Sequence, residues 1–306
     1  MQVHYSLANL PSFKNAVLTI GSFDGVHTGH QKIIAALEME AEKVDGESIL
    51  ITFHPHPRKI ITDISLQLIN TLEERIFLLS QYKIDHLVVI PFTKEFAEQS
   101  AENYIDQFLI KYFHPHSIVI GYDHHFGKDR KGNFTLLQQY ADQQLFTLIE
   151  IPKQVLNEIA VSSTKIRNAL LSSDLDVANN LLGYSFFFSG LVVGGDRIGR
   201  TINYPTANLD YTDSDKIRIG HGVYAVEASL DGRVIKGMLS IGNRPTLEQE
   251  SEEKVEVNLF DFSEEIYGQI LTVVVKKYLR PQIKYNDMEA LKVQLAKDKE
   301  DSLKWL

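Results

Sequence analysis

The stretch Gly21-Ser22-Phe23-Asp24-Gly25-Val26-His27-Thr28-Gly29-His30 is compatible with few folds. An apolar run (Ala16, Val17, Leu18, Ile20) precedes it and an amphipathic run (Ile33, Ile34, Leu37) follows. That order reads as strand, glycine turn, helix, with two imidazoles flanking Gly29 at the helix entry. Main-chain N–H groups and the positive end of the helix suit such a turn to a polyphosphate, and glycine lets the anion approach closely. Imidazoles there can donate to oxygens that gain charge during a reaction. Chemistry on a nucleoside triphosphate is the expectation.

Short apolar runs and helical patterns alternate from residue 16 to about 151. Strands are predicted at 16–20, 48–53, 86–91, 117–121 and 145–151, and helices at 31–43, 72–82, 101–112 and 133–142. The alternation predicts an α/β, Rossmann-like, doubly wound parallel sheet. Ligands of such sheets lie outside the carboxyl ends of the strands. Residues 27–30, 54–57 and 123–127 all follow strands and are expected to converge there. Two short helices, 163–171 and 175–182, come next, and then the texture changes. β-Branched and aromatic residues dominate 185–193, 223–229, 234–241, 254–262 and 269–279, separated by turns such as Leu230-Asp231-Gly232. This is the pattern of an antiparallel barrel or sandwich, closed by an amphipathic helix over 288–306. The expected boundary lies near Gly183, giving domains 1–183 and 184–306.

The bulk properties narrow the partners. A chain of 306 residues holds two ordinary cores. It contains no long apolar run and no basic-then-apolar leader, so a cytoplasmic protein without a membrane partner is expected. Zero cysteines exclude disulfides, thiolate metal sites and cysteine nucleophiles. A net charge of −9 argues against a general nucleic-acid binder. A triphosphate user this acidic needs local cations and a divalent ion. No segment calls for an obligate protein partner.

Val161-Ser162-Ser163-Thr164-Lys165-Ile166-Arg167 supplies a second helix start, where Ser162 or Ser163 can cap and Lys165 and Arg167 can meet phosphates. The histidine pairs 54/56, 114/116 and 124/125 invite a metal reading, but zinc needs a third ligand from a distant segment. Loop histidines forming substrate walls are the simpler reading. In the second half, Gly194, Gly195 and Gly199 can cradle phosphates. Thr206 and Asn208, two apart in an extended segment, point the same way and can offer oxygens to Mg²⁺.

Residues 21–30 and 162–167 together resemble the nucleotidylyltransferase superfamily. Thr52-Phe53-His54-Pro55-His56-Pro57 and Gly121-Tyr122-Asp123-His124-His125-Phe126-Gly127 through Arg130 sharpen the resemblance. The chain resembles the bacterial bifunctional riboflavin kinase/FMN adenylyltransferases, or FAD synthetases. Later strings agree: Gly190 through Arg200, Pro205-Thr206-Ala207-Asn208, Gly242-Asn243-Arg244-Pro245-Thr246, Val255-Glu256-Val257-Asn258 and Leu279-Arg280. The resemblance implies transfer of AMP from ATP to FMN in the first half. His27, His30 and Arg167 then stabilise charge, Gly21, Phe23, Gly29, Ser162, Ser163 and Thr164 bind ATP, and Asp123, Phe126 and Arg130 lie on the flavin side. In the second half it implies phosphorylation of riboflavin, with Glu256 as base. Gly195, Gly199, Arg200, Pro205 and Thr206 then bind ATP, Thr206 and Asn208 hold Mg²⁺, and Arg280 lies on the flavin side.

Three departures from the family pattern stand out: His124 with His125, Asn203 in place of Gly, and Asn258 in place of His. The last two leave open an adenylyltransferase with a weakened kinase. A cytidylyltransferase-like enzyme fits the barrel half poorly. A flavin-binding regulator without turnover has no need of Glu256 as a base.

Overall fold

The computed structural model describes residues 1–62, 65–152, 161–195, 204–243, 253–285 and 287–306. Two compact bodies divide them. One holds Met1–Leu66 and Leu72–Ser163, the other Gln67–Thr71 and Thr164–Leu306.

The first body is built on six parallel strands: β1 Gln2–His4, β2 Val17–Ile20, β3 Ser48–His54, β4 His86–Pro91, β5 Ser117–Gly121 and β6 Thr147–Ile151. Their order is β1-β4-β3-β2-β5-β6. The chain steps from β2 outward through β3 and β4, then returns to the other side of β2 for β5. That reversal opens a crevice at the carboxyl ends of β2 and β5, where Gly21 and Gly121 begin their loops. Alternate strand residues feed two apolar layers. Leu18, Ile20, Ile49, Ile51, Val88, Ile90, Ile118 and Ile120 pack on one face with Ile105, Phe108 and Leu137. Val17, Leu50, Leu87, Val89 and Val119 pack on the other with Ile34, Leu37 and Leu79. Each such side chain contributes roughly 1.5–3 kcal/mol by leaving water.

The sequence-predicted helices are present with shifted ends: Thr28–Lys43, Leu72–Leu79 and Phe134–Asp142. Asn133 turns out to be a cap, its Oδ1 accepting from the Leu136 N–H at 3.2 Å. The segment expected as one α-helix over 101–112 is π-helical over Tyr104–Ile110, with short α-helical turns on either side. The edge strand β1 was not expected.

The second body holds β7 Phe187–Val193, β8 Ala207–Tyr211, β9 Gly222–Leu230, β10 Arg233–Asn243, β11 Glu253–Leu259 and β12 Ile270–Arg280. They close an antiparallel barrel in the order β10-β11-β8-β7-β12-β9. Asp231 and Gly232, at φ 48° and 80°, join β9 to β10; two successive positive φ values match the twist of a tight hairpin. The helices Ser163–Leu171, Leu175–Leu182 and Met288–Leu303 accompany the barrel, apart from Ser163 itself. Gln67–Thr71 does too. Leu68 bridges Lys216, and the buried Lys216 Nζ donates to the Ile69 and Phe187 carbonyls at 2.7 Å each.

Candidate active sites

In the first body the glycine turn is shaped by its backbone. Phe23, Gly25 and Val26 have φ of 48°, 90° and 36°. Left-handed valine costs about 1–3 kcal/mol and persists only where neighbours hold it. Here Val26 is buried, its N–H donates to the Phe23 carbonyl at 3.1 Å, and its carbonyl accepts from Gln31 Nε2 at 2.9 Å. The turn delivers His27 as the cap of the helix Thr28–Lys43, with its Nδ1 accepting from the His30 N–H at 3.3 Å. A neutral His27 therefore carries its proton on Nε2. The His27 and His30 rings stack at 3.6 Å and 12°, and Phe23 lies 5.0 Å from His30. Burial, then the His27 ring and the Arg75 guanidinium, hold the His30 pKa well below 6.5, so that imidazole is neutral at pH 7. Its Nδ1 is buried without a partner among the described residues.

Gly29 sits at a close approach. A Cβ there would lie 3.3 Å from the His27 ring and 4.0 Å from the Val161 side chain. The Ser163 hydroxyl donates to the Asp24 carbonyl at 3.0 Å. The glycine turn and the start of the 162–167 motif thus meet at one place, and Ser163 serves as a tie between them. Thr164 and Arg167 belong to the second body. The buried Arg167 donates there through Nε to the Gln67 carbonyl at 2.8 Å.

The flavin-side expectation divides. Asp123 and Arg130 are exposed, whereas Phe126 is buried in the aromatic layer, 5.0 Å from Tyr104 and 5.7 Å from His124. Burial, then His125 and Arg130, lower the His124 pKa to about 4.

Within the second body one cavity of about 350 Å³ gathers Thr206, Asn208, Glu256, Asn258 and Arg280. Antiparallel register explains the grouping. Asn208 lies opposite Glu256 between β8 and β11, and Ser240 lies opposite Glu256 between β10 and β11. Asn258, two residues on, shares that face; its amide donates to the Pro205 carbonyl at 2.7 Å. An amide in place of imidazole therefore still anchors the Pro205-Thr206 segment. A Cβ at Gly195 would meet the Asn208 amide, which would have to move aside. Gly199, Arg200 and Asn203 lie outside the described residues, as do Arg244, Pro245 and Thr246.

Arg280, at the end of β12, is held by the buried Asp298 of the final helix through two parallel bonds of 2.8 and 2.6 Å. That pairing raises the guanidinium pKa and leaves the fork rigid. Leu291, Leu295 and Asp298 line the same cavity, so the last helix is a wall of this site. Tyr285 lines it too, its hydroxyl buried without a partner among the described residues. The need of Arg280 for a counter-charge was the one sequence signal pointing to an acidic residue such as Asp298.

Thr206 and Asn208 offer neutral hard oxygens, a donor set that fits Mg²⁺ arriving with substrate phosphates. Among the described residues no group of three His, Asp or Glu side chains forms a metal cage. No helix of the described residues is long and apolar enough to cross a membrane.

Known proteins cover the chain from end to end. The family model for FAD synthetase matches residues 10–165 and that for riboflavin kinase matches residues 182–306. A bifunctional riboflavin kinase/FMN adenylyltransferase of Listeria monocytogenes is 36% identical over 290 residues, 94% of this chain and 91% of that one. Its counterpart in Haemophilus influenzae is 37% identical over 94% of this chain and 93% of its own. That of Escherichia coli is 33% identical over 96% and 93%. A solved Streptococcus pneumoniae chain, described as a macrolide-efflux protein, superposes with a TM-score of 0.90 at 30% identity over 99% of both chains. With both halves matched in order by relatives this similar, the chain belongs to the family of bifunctional riboflavin kinases/FMN adenylyltransferases.

Proposed function

We infer that the chain converts riboflavin to FMN in its barrel half and FMN to FAD in its sheet half, using ATP in both steps. The observation that carries the reading is one cavity in which the register of β8 and β11 sets Glu256 opposite Asn208, with Thr206 and the clamped Arg280 also in its lining. An alcohol is a poor nucleophile until its proton is taken. Glu256 accepts the proton of the ribityl 5′-hydroxyl as that oxygen bonds to the γ-phosphorus and ADP leaves. Thr206 and Asn208 would hold Mg²⁺, which when bound neutralises charge on the phosphates. Arg280 faces the flavin side, and Gly195, Pro205 and Thr206 face ATP, as would Gly199 and Arg200.

In the sheet half a phosphate oxygen of FMN bonds to the α-phosphorus of ATP and pyrophosphate leaves. The incoming phosphate is already a competent nucleophile, so the protein supplies position and charge stabilisation. His27 and His30 donate to the phosphates, with Arg167 assigned the same task. Gly21, Phe23, Gly29, Ser162, Ser163 and Thr164 shape the ATP side, and Asp123, Phe126 and Arg130 the flavin side. We assign residues 1–183 to the adenylyltransferase and 184–306 to the kinase, both acting on small molecules in the cytoplasm.

Purified protein incubated with riboflavin, ATP and Mg²⁺ is expected to yield FMN and then FAD by chromatography. Flavin binding without either product sinks the enzyme reading in favour of a regulator. FAD formed from FMN but not from riboflavin leaves only the adenylyltransferase. The Asn258–Pro205 hydrogen bond weighs against that weakened-kinase alternative.

The clamp on Arg280 makes a second prediction. Asp298→Asn keeps the shape but removes the counter-charge, and is expected to raise the KM for riboflavin about tenfold while sparing FAD formation from FMN. A riboflavin KM equal to that of wild type would show that the clamp has no part in flavin binding.

A further inference from the structure

Arg75 sits in the helix Leu72–Leu79, three residues after Leu72 and four before Leu79. It therefore shares the face that packs into the apolar layer with Leu37, Leu50 and Leu87. A guanidinium is tolerated in such a place only where its N–H groups find acceptors. Arg75 is only 4% exposed. One terminal nitrogen donates to the Ser22 carbonyl and, at 3.2 Å, to the Thr52 hydroxyl. The other donates to the Phe53 carbonyl at 3.2 Å. Thr52 Oγ1 also donates to the Ser22 carbonyl, at 3.1 Å. One planar side chain thus straps the loop after β2 to the end of β3.

Two further observations point beyond a structural tie. The Arg75 Nε is buried with no partner among the described residues. Among the described residues its hydrogen-bond partners are carbonyls and a hydroxyl, with no carboxylate at contact distance. Asp24 and Glu73 act on it only through space, against the opposing effect of burial. The same charge is felt at His30, at the entry of the nucleotide turn.

We propose that Arg75 is a positioning residue of the nucleotide site, fixing the glycine turn through the Ser22 carbonyl and lending its buried positive charge to the triphosphate of ATP. The proposal rests on the adenylyltransferase reading above. A fixed cation in a low-dielectric layer acts on a polyanion over a longer distance than a solvated one does.

The test compares full-length wild type, Arg75→Gln and Arg75→Lys in FAD formation from FMN at varied ATP. Gln keeps hydrogen bonding and loses charge, whereas Lys keeps charge and loses the two-armed fork. Arg75→Gln is expected to raise the KM for ATP about tenfold or more with a smaller loss in kcat, and Arg75→Lys to fall between it and wild type. Riboflavin phosphorylation by the same preparations is expected to stay within about twofold, which reports on the barrel body, while a circular-dichroism melt matching wild type reports on folding of the sheet body. An ATP KM within about twofold of wild type in Arg75→Gln overturns the proposal, as does a loss confined to kcat. If Arg75→Gln does not fold, Arg75→Lys decides alone: a raised ATP KM supports the proposal and an unchanged one overturns it. Wild-type protein that makes no FAD from FMN overturns the adenylyltransferase reading instead, and needs no variant to show it.

Discussion

Glu256→Gln in the full-length chain is expected to slow FMN formation from riboflavin by about 10²–10⁴-fold, the usual contribution of a general base. The amide keeps the size of the carboxylate and can still hydrogen-bond, but it has no basic oxygen. Because Glu256 is half-buried in the barrel wall opposite Asn208, the substitution changes little else. FAD formation from supplied FMN is expected to stay within about twofold, since that chemistry needs no base on the barrel. Loss of both activities in a folded variant would contradict independent sites. A riboflavin kinase rate equal to wild type would remove Glu256 from the mechanism.

The second large effect is expected at His30. His30→Ala should lower FAD formation about 10²–10³-fold, the cost of removing one donor from a preorganised charge-stabilising site. Alanine favours the helix, and the capping bond from the residue 30 N–H to His27 Nδ1 survives the change. What disappears is the neutral ring stacked on His27, together with its own buried Nδ1. Riboflavin phosphorylation should be unaffected, the mirror image of Glu256→Gln. Unchanged FAD synthesis in this variant would refute the role given to the first motif.

Much of the scaffold was legible because its causes are local. The strand-turn-helix at residues 16–43 follows from an apolar run, a glycine-containing turn and a 3.6-residue period, all within a few residues of one another. The Asp231-Gly232 hairpin is readable for the same reason. β8 was legible only as an extended segment, since it is just five residues long and carries Asn208 and Asp210, residue types depleted in strands. The π-helical stretch Tyr104–Ile110 escaped because its apolar pattern is also that of an α-helix.

The candidate sites divide along the same line. Residue identity and spacing were enough to single out His27, His30, Thr206 and Asn208, whereas Glu256 stood out only through the family resemblance of its flanking residues. Periodicity does not tell a solvated arginine on a helix from Arg75, nor a loop aromatic at a flavin site from Phe126 in the core. It does not show that Asp298 clamps Arg280 from 18 residues away, or that Gln67–Thr71 packs with the barrel body.

From the sequence alone come the two halves, their strand and helix patterns and the glycine–histidine turn, because propensity and turn chemistry act between near neighbours. Only the tertiary structure decides which charges are buried, which strand lies beside which, and therefore which residues share a cavity. Those outcomes depend on register and packing between segments far apart in the chain, where a one-residue shift turns a side chain to the opposite face.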